Sequence, residues 1–252
     1  VGSWYTPSLL KLLRFSGGFA DAAVCNAQAV REIVVARERL PSERTTVIYN
    51  RISRKPATIA RNDLRDRFSL PRDAFLIVIV ANLRPLKRID SAISALARLK
   101  TLVPVPRLVV AGADRAGTTG RSHREELENH ARSLGVAELV HFVGAVDDPM
   151  PLLSCGDVAV LCSETEGLSN SIIEYLLAGK PVVCTPVGGS PELVEEGVSG
   201  YFFDVGDDAA LARHLSELHA NPAALRCMSR EAEYTAVTRF DPKLMTGSNS
   251  ST

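Results

Sequence analysis

The stretch DVAVLCSETEGLSNSIIEYLLAGKPVVCTP, residues 157–186, decides the fold. It opens on DVAVLCS (157–163), whose core at 158–162 is apolar at every position. Strict alternation would mark a strand with one wet face. A continuous apolar run marks a strand covered on both faces, as in the middle of a parallel sheet. The loop from Ser163 to Ser169 follows, then a helical run over 169–178, then the strand PVVCTP (181–186). Strand, helix and strand in this order form a parallel crossover.

The alternation continues in both directions. FLIVIVANL (75–83), continuously apolar over 76–81, predicts a second central strand. It leads to a helix over 88–100, the strand RLVVAGA (107–113), a helix over 121–134 and the strand LVHFVGA (139–145). Downstream come a short helix near 191–196 and a helix over 207–219; upstream, AAVCNA (22–27) precedes the amphipathic QAVREIVVARERL and then TTVIYN (45–50). The whole predicts an α/β fold, a doubly wound, Rossmann-like parallel sheet. Such sheets bind ligands beyond the carboxyl ends of their strands. The loop 163–169 lies there.

The chain has 252 residues, 46% of them apolar, with 29 basic and 29 acidic side chains. That is ordinary globular composition. A balanced charge offers nucleic acid no electrostatic footing. No apolar run approaches the ~20 residues of a membrane span. The five cysteines have no C-x2-C spacing. Cys155, Cys162 and Cys184 lie in or beside apolar segments and read as buried thiols of a reducing, cytoplasmic protein. The five histidines lack partners at metal-ligand spacing and read as surface or capping residues. No G-x-S-x-G elbow or G-x4-G-K-[ST] loop occurs, which argues against a hydrolase or a P-loop ATPase. The N-terminus, VGSWYTPSLLKLLRF, has no initiator Met and no cleavage pattern, and reads as the edge of a larger protein. RISRKPATIARND (51–63) reads as a linker, and the end of the chain, GSNSST, as disordered.

Within 163–178 the chemistry gathers at the start of a helix. Ser169 is a natural N-cap. The exposed N–H groups at Leu168 and Ser169 suit an anion, most often phosphate. Glu166 precedes the Gly167-Leu168-Ser169 turn, and Glu174 lies five residues beyond Ser169, roughly 7.5 Å along a helix. Carboxylates beside a phosphate site would repel it unless they reach past it to hydroxyls. The pattern therefore points to a phosphate flanked by two polyols, as in a nucleotide sugar. A second group, NLRPLKRID (82–90), follows the strand 75–83 and aims at the same edge. Arg84 as a fork and Lys87 as a point charge suit a diphosphate, and Arg88 is near enough to contribute. Gly188-Gly189 gives a permissive backbone ahead of another helix start.

Residues 166–200 resemble the retaining GT-B glycosyltransferases whose C-terminal half carries a Glu-x7-Glu signature (the family 4, or group 1, type). Glu166 and Glu174 occupy the two Glu positions. Gly167, Gly179-Lys180-Pro181, Gly188-Gly189, Pro191-Glu192 and Gly200 fall at that family's punctuation, and the resemblance extends over roughly residues 20–240. Many members place the Arg five residues before the Lys, where this chain has Asn82; Arg84 stands three before Lys87, as in some relatives.

The resemblance implies a division of the chain. Residues 1–52 would be the tail of an N-terminal, acceptor-side domain, 53–240 the nucleotide-sugar-binding C-terminal domain, and 241–252 a disordered tail. It implies metal-independent, cofactor-free transfer of a sugar from a UDP- or GDP-sugar to a sugar, lipid-linked or small-molecule acceptor, with retention. Glu166 would hold the donor sugar at the reaction centre. Glu174 would bind ribose, and residues near Val143 and Gly144 would lie by the base. Arg84, Lys87, Gly167, Leu168 and Ser169 would hold the diphosphate. Acceptor recognition, and any contact with a membrane surface, would belong to the first domain, so that this chain alone would turn over poorly. Two other readings stay open: a nucleotide-sugar-binding module without turnover, and an epimerase or phosphorylase on the same architecture.

Overall fold

The computed structural model describes residues 6–52, 61–114 and 122–240. At the N-terminal end, α1 (Pro7–Gly17) precedes β1 (Ala23–Cys25), α2 (Gln28–Ile33) and β2 (Thr45–Val47). β1 and β2 form a separate two-stranded parallel sheet. The expected helix over 28–40 is shorter: a π-helical turn, Val34–Glu38, continues α2, and Arg39 in the left-handed region (φ 62°) ends it.

The larger sheet follows α3 (Arg61–Arg67). Its elements, in chain order, are β3 (Leu76–Val80), α4 (Ile89–Leu99), β4 (Arg107–Ala111), α5 (His123–Ser133) and β5 (Val140–Gly144). The second half adds α6 (Met150–Cys155), β6 (Val158–Leu161), α7 (Asn170–Leu177), β7 (Val182–Cys184), α8 (Ser190–Leu193) and β8 (Gly200–Phe202). Two consecutive helices close the fold, α9 (Asp208–Ala220) and α10 (Pro222–Phe240). The strand order is β5-β4-β3-β6-β7-β8, parallel throughout, as the continuous apolar cores predict. Alternate strand residues feed two cores. Leu76, Val78, Ala159 and Leu161 pack with α6, α7 and α10 on one face; Ile77, Ile79, Val158 and Val160 pack with α4, α5 and α9 on the other.

Several elements were not anticipated. α3 begins inside the stretch read as a linker, whose residues 53–60 lie outside those described, as does the tail 241–252. α1, α6 and α10 were unread, and so was β8. The first residue of β8 is a glycine because a Cβ on Gly200 would sit 1.9 Å from the Val182 carbonyl oxygen. The helix expected near 191–196 is the single turn of α8.

Order reverses between β3 and β6, and each end of that junction is fixed by side chains. At the amino ends, Arg65, only 2% exposed, donates to the carbonyls of Cys155, Pro71, Arg72 and Ala74. It also pairs with Asp157 at 3.1 Å, and Asp157 accepts the Leu76 N–H at 2.8 Å. A buried cation is tolerable only with such a full set of acceptors. At the carboxyl ends the two strands part. They pair only at Ile77↔Val158 and Val78↔Ala159. The Tyr175 hydroxyl on α7 accepts the Val80 N–H at 2.7 Å and lies 3.3 Å from the Val80 oxygen; Ser171 Oγ donates to that oxygen at 2.8 Å. Tyr175→Phe leaves the Val80 N–H without its acceptor. It should lower unfolding free energy by about 1–3 kcal/mol in urea titration, whereas an unchanged midpoint would show that the hydroxyl bonds are dispensable.

Candidate functional site

The crevice where β3 and β6 part is the topological switch point of the sheet, the usual ligand position in this architecture. Both residue groups singled out in the sequence border it. After β3 the chain makes a 3-10 turn, Pro85–Lys87, and Arg88 takes the left-handed conformation (φ 48°) to start α4. After β6 the loop carries Glu164, Glu166 and Gly167 into α7. The two loops are tied together. The Glu164 N–H donates to the Leu86 carbonyl at 2.9 Å. Arg88 bridges Asp90 and Glu164, each pair at 3.1 Å. Lys87 Nζ meets Glu166 Oε1 at 2.6 Å, with the lysine side chain 27% and the glutamate 11% exposed.

Lys87 and Glu166, expected to meet different parts of a ligand, thus meet each other. An ammonium has three donors and this contact uses one. Arg84 is exposed on the preceding turn and forms no ion pair with another described residue, while Arg88 is committed to its two carboxylates.

Ser169 caps α7 as predicted: its backbone is extended (φ −80°, ψ 109°) and its Oγ accepts the Ile172 N–H at 3.4 Å. Among the described residues, the N–H groups of Leu168 and Ser169 have no protein acceptor. Gly167 packs close to Asn26 and Val30. Its carbonyl accepts the Gly189 N–H at 2.7 Å. The Gly188-Gly189 pair is required by space as well as by conformation. Gly188 has φ +55°, and a Cβ there would lie 2.0 Å from the Glu166 carbonyl oxygen.

Glu174 lies half-buried on α7, and its pKa is pushed up to about 7, first by burial and then by the charge of Asp148. Asp148, which was not singled out in the sequence, also caps α6 by accepting the Met150 N–H at 3.0 Å. Its signal was present: an Asp just ahead of Pro149 and a helix start. Glu164 was missed too, since a third acidic residue in one loop carries no spacing signal. At the end of β5 the ladder shifts register, with Val110 opposite Phe142 and Ala111 opposite Gly144. Val143 is the residue left over, and Gly144 takes φ +78°.

Three of the histidines lie elsewhere: His130 bonds Ser94, His214 stacks on Tyr201, and His219 reaches the Pro104 carbonyl, whereas His123 lines a small hollow with Leu86, Arg88, Asp90 and Glu164. Among the described residues no cluster of His, Cys, Asp or Glu is arranged to hold a metal, and no helix is long and apolar enough to cross a membrane. A second hollow of about 460 Å³ opens at the amino ends of the strands, beside Arg61, Arg65 and Arg72. Each of those cations is already paired, Arg61 and Arg65 with Asp157 and Arg72 with Asp66. The crevice at the carboxyl ends is the better anion site. It offers free backbone donors, an exposed Arg84, a Lys87 with donors to spare and two carboxylates able to take hydroxyls.

The sequence profile of the glycosyl transferases group 1 matches residues 60–235. Among curated proteins, the chain is 31% identical over 184 residues to a putative glycosyltransferase, EpsD, of Bacillus subtilis, covering 73% of this chain and 46% of that one. It is 37% identical over 164 residues to a D-inositol 3-phosphate glycosyltransferase of Thermomonospora curvata, covering 63% and 38% respectively. The chain thus spans about half the length, or less, of these relatives. Among solved structures, HepE of Anabaena in complex with UDP superposes with a TM-score of 0.87 at 25% identity, over 98% of this chain and 67% of HepE. A second HepE structure, in complex with UDP-glucose, gives a TM-score of 0.86 at the same identity, over 96% and 66%. On the profile match, the fold and these relatives, the chain belongs to the glycosyl transferases of group 1.

Proposed function

We propose that residues 61–240 bind the nucleotide-sugar donor of a retaining glycosyltransferase, and that the donor is a UDP-sugar passed to an acceptor hydroxyl. The observation that carries this reading is the convergence, at one switch point, of backbone donors, cations and two carboxylates at different depths. UDP and UDP-glucose in the HepE complexes support the choice of nucleotide. Residues 6–52 are assigned to an acceptor-side lobe. Arg84, Lys87 and the N–H groups of Leu168 and Ser169 take the diphosphate. Negative charge grows on that group as the glycosidic bond breaks. Donors aimed there favour the transition state over the ground state without a metal ion. Glu166, held by Lys87, presents its remaining acceptor capacity to the donor sugar, and Glu174 takes the ribose hydroxyls.

The Lys87–Glu166 pair makes the lysine test conditional. Lys87→Ala should weaken UDP binding by ~1.5–3 kcal/mol and hardly change binding of uridine. Part of that loss is repulsion from a Glu166 carboxylate left unpaired. In calorimetry, Lys87→Ala should therefore cost more in wild type than in a Glu166→Gln background. Equal losses for UDP and uridine would reject the diphosphate assignment, and strict additivity would reject the coupling.

Glu174 gives a pH test. Its folded-state pKa, about 7, stands above the ordinary glutamate value. The stability it contributes is fully present below that ordinary value and is lost as pH rises through about 7. Glu174→Gln should thus gain melting temperature relative to wild type on going from pH 5 to pH 8. UDP-glucose, which gains a charged acceptor as Glu174 ionises, should bind wild type more tightly across the same interval and the variant at a nearly constant level. A melting difference independent of pH would contradict the assignment.

A further inference from the structure

Glu192 sits on the single turn of α8, just after Gly188-Gly189, and its carboxylate reaches the N-terminal segment. Oε1 accepts the Ala29 N–H at 2.8 Å; Oε2 accepts the Gln28 N–H at 2.9 Å and the Tyr49 hydroxyl at 2.7 Å. α2 begins at Gln28, and its own N-cap residue, Ala27, makes no side-chain cap bond. An alanine cannot satisfy the first free N–H groups of a helix. The acceptor comes instead from a residue more than 160 positions later in the chain. The contact is backed from behind: Arg239 donates to the Glu192 carbonyl at 2.9 Å, and the Tyr49 ring stands edge-on to Phe240 with centroids 6.5 Å apart.

The same turn presses on the Glu166 loop. A Cβ on Gly189 would lie 2.9 Å from the Ala27 Cβ and 3.1 Å from the Gly167 oxygen, and one on Gly188 would overlap the Glu166 carbonyl. One on Gly167 would meet Asn26 Oδ1 at 3.4 Å. Residues 26–29, 166–167 and 188–192 are therefore one packed stack. Asn50 adds a hydrogen bond to Asn170, at the start of α7, at 2.7 Å.

We infer that Glu192 is a positioning residue. By capping α2 it clamps the N-terminal segment onto the Gly188-Gly189 turn, and through that turn it fixes the backbone of Glu166 and Gly167. Lys87 holds the Glu166 carboxylate; Glu192 holds the peptide that bears it. The consequence for donor selection rests on the proposal that Glu166 meets the donor sugar and Glu174 the ribose. A slack Glu166 backbone then weakens recognition of the sugar and spares that of the nucleotide.

The test measures residue-resolved amide exchange and calorimetric affinity for UDP and UDP-glucose in wild type, Glu192→Ala and Glu192→Gln. In Glu192→Ala the Gln28 and Ala29 amides should exchange about tenfold faster or more, and so should Gly189, whose N–H is held by the Gly167 carbonyl, while Ile77–Val80 and Leu108–Val110 keep wild-type rates. UDP-glucose affinity should fall about tenfold and UDP affinity less than about twofold, a split that a general loss of stability does not produce. Glu192→Gln, which keeps one acceptor oxygen, should lie between and carries the same comparison if the alanine variant does not fold. Faster exchange confined to Gln28 and Ala29 would reduce Glu192 to a helix cap and overturn the inference, as would equal losses for the two ligands. Should wild type bind neither ligand, the donor reading falls, while exchange at Gly189 still decides whether Glu192 couples the two segments.

Discussion

The site depends on the way β3 and β6 part company. Both strands are central and fully apolar, so they pair where they enter the sheet. After Val78 and Ala159 they no longer share hydrogen bonds, and Val80 is left with a donor and an acceptor facing the gap. Buried backbone groups need partners. α7 supplies them through the Tyr175 hydroxyl and Ser171 Oγ. These two contacts satisfy the strand end and anchor the helix whose start faces the gap. The amino ends of the same strands are held by Arg65 and Asp157, so the junction is rigid below and open above.

On that frame the electrostatics are arranged in layers. The Lys87–Glu166 pair spans the two loops and is only partly exposed, which makes it a geometric tie more than a source of stability. It leaves cationic donors beside the free N–H groups at the start of α7. Farther along the helix, Glu174 sits where burial and Asp148 disfavour its ionised form. A carboxylate kept in so costly a place is a candidate functional group, and the ribose role proposed for it rests in part on that. The backbone beneath Glu166 is held from the other direction by two glycines whose lack of side chains allows the contact.

Much of this was legible in the sequence, for identifiable reasons. The runs at 76–81 and 158–162 are apolar at every position, so the parallel sheet followed from them alone. Ser169 was recognisable as an N-cap, and the loop following β6 had to emerge at the carboxyl edge. What escaped had weaker or longer-range signals. α10 buries a narrow stripe, Met228, Ala232, Ala236 and Phe240, beneath an otherwise polar surface, too slight to stand out from its charges. α3 hid in a charged stretch because its anchor, Arg65, is a buried cation, against the usual pattern. The Lys87–Glu166 contact joins residues 79 positions apart, and Glu192 caps a helix more than 160 positions away. No local spacing encodes such pairs; they exist only once the sheet brings its loops together.

The most direct test is to map where UDP lands on this chain. Backbone amide shifts followed during a UDP titration should move at Lys87, Leu168, Ser169 and Glu174, around the gap between β3 and β6. Residues near Arg61, Arg65 and Arg72, at the opposite end of the strands, should stay still. Shifts confined to those arginines, with the start of α7 unmoved, would contradict the account.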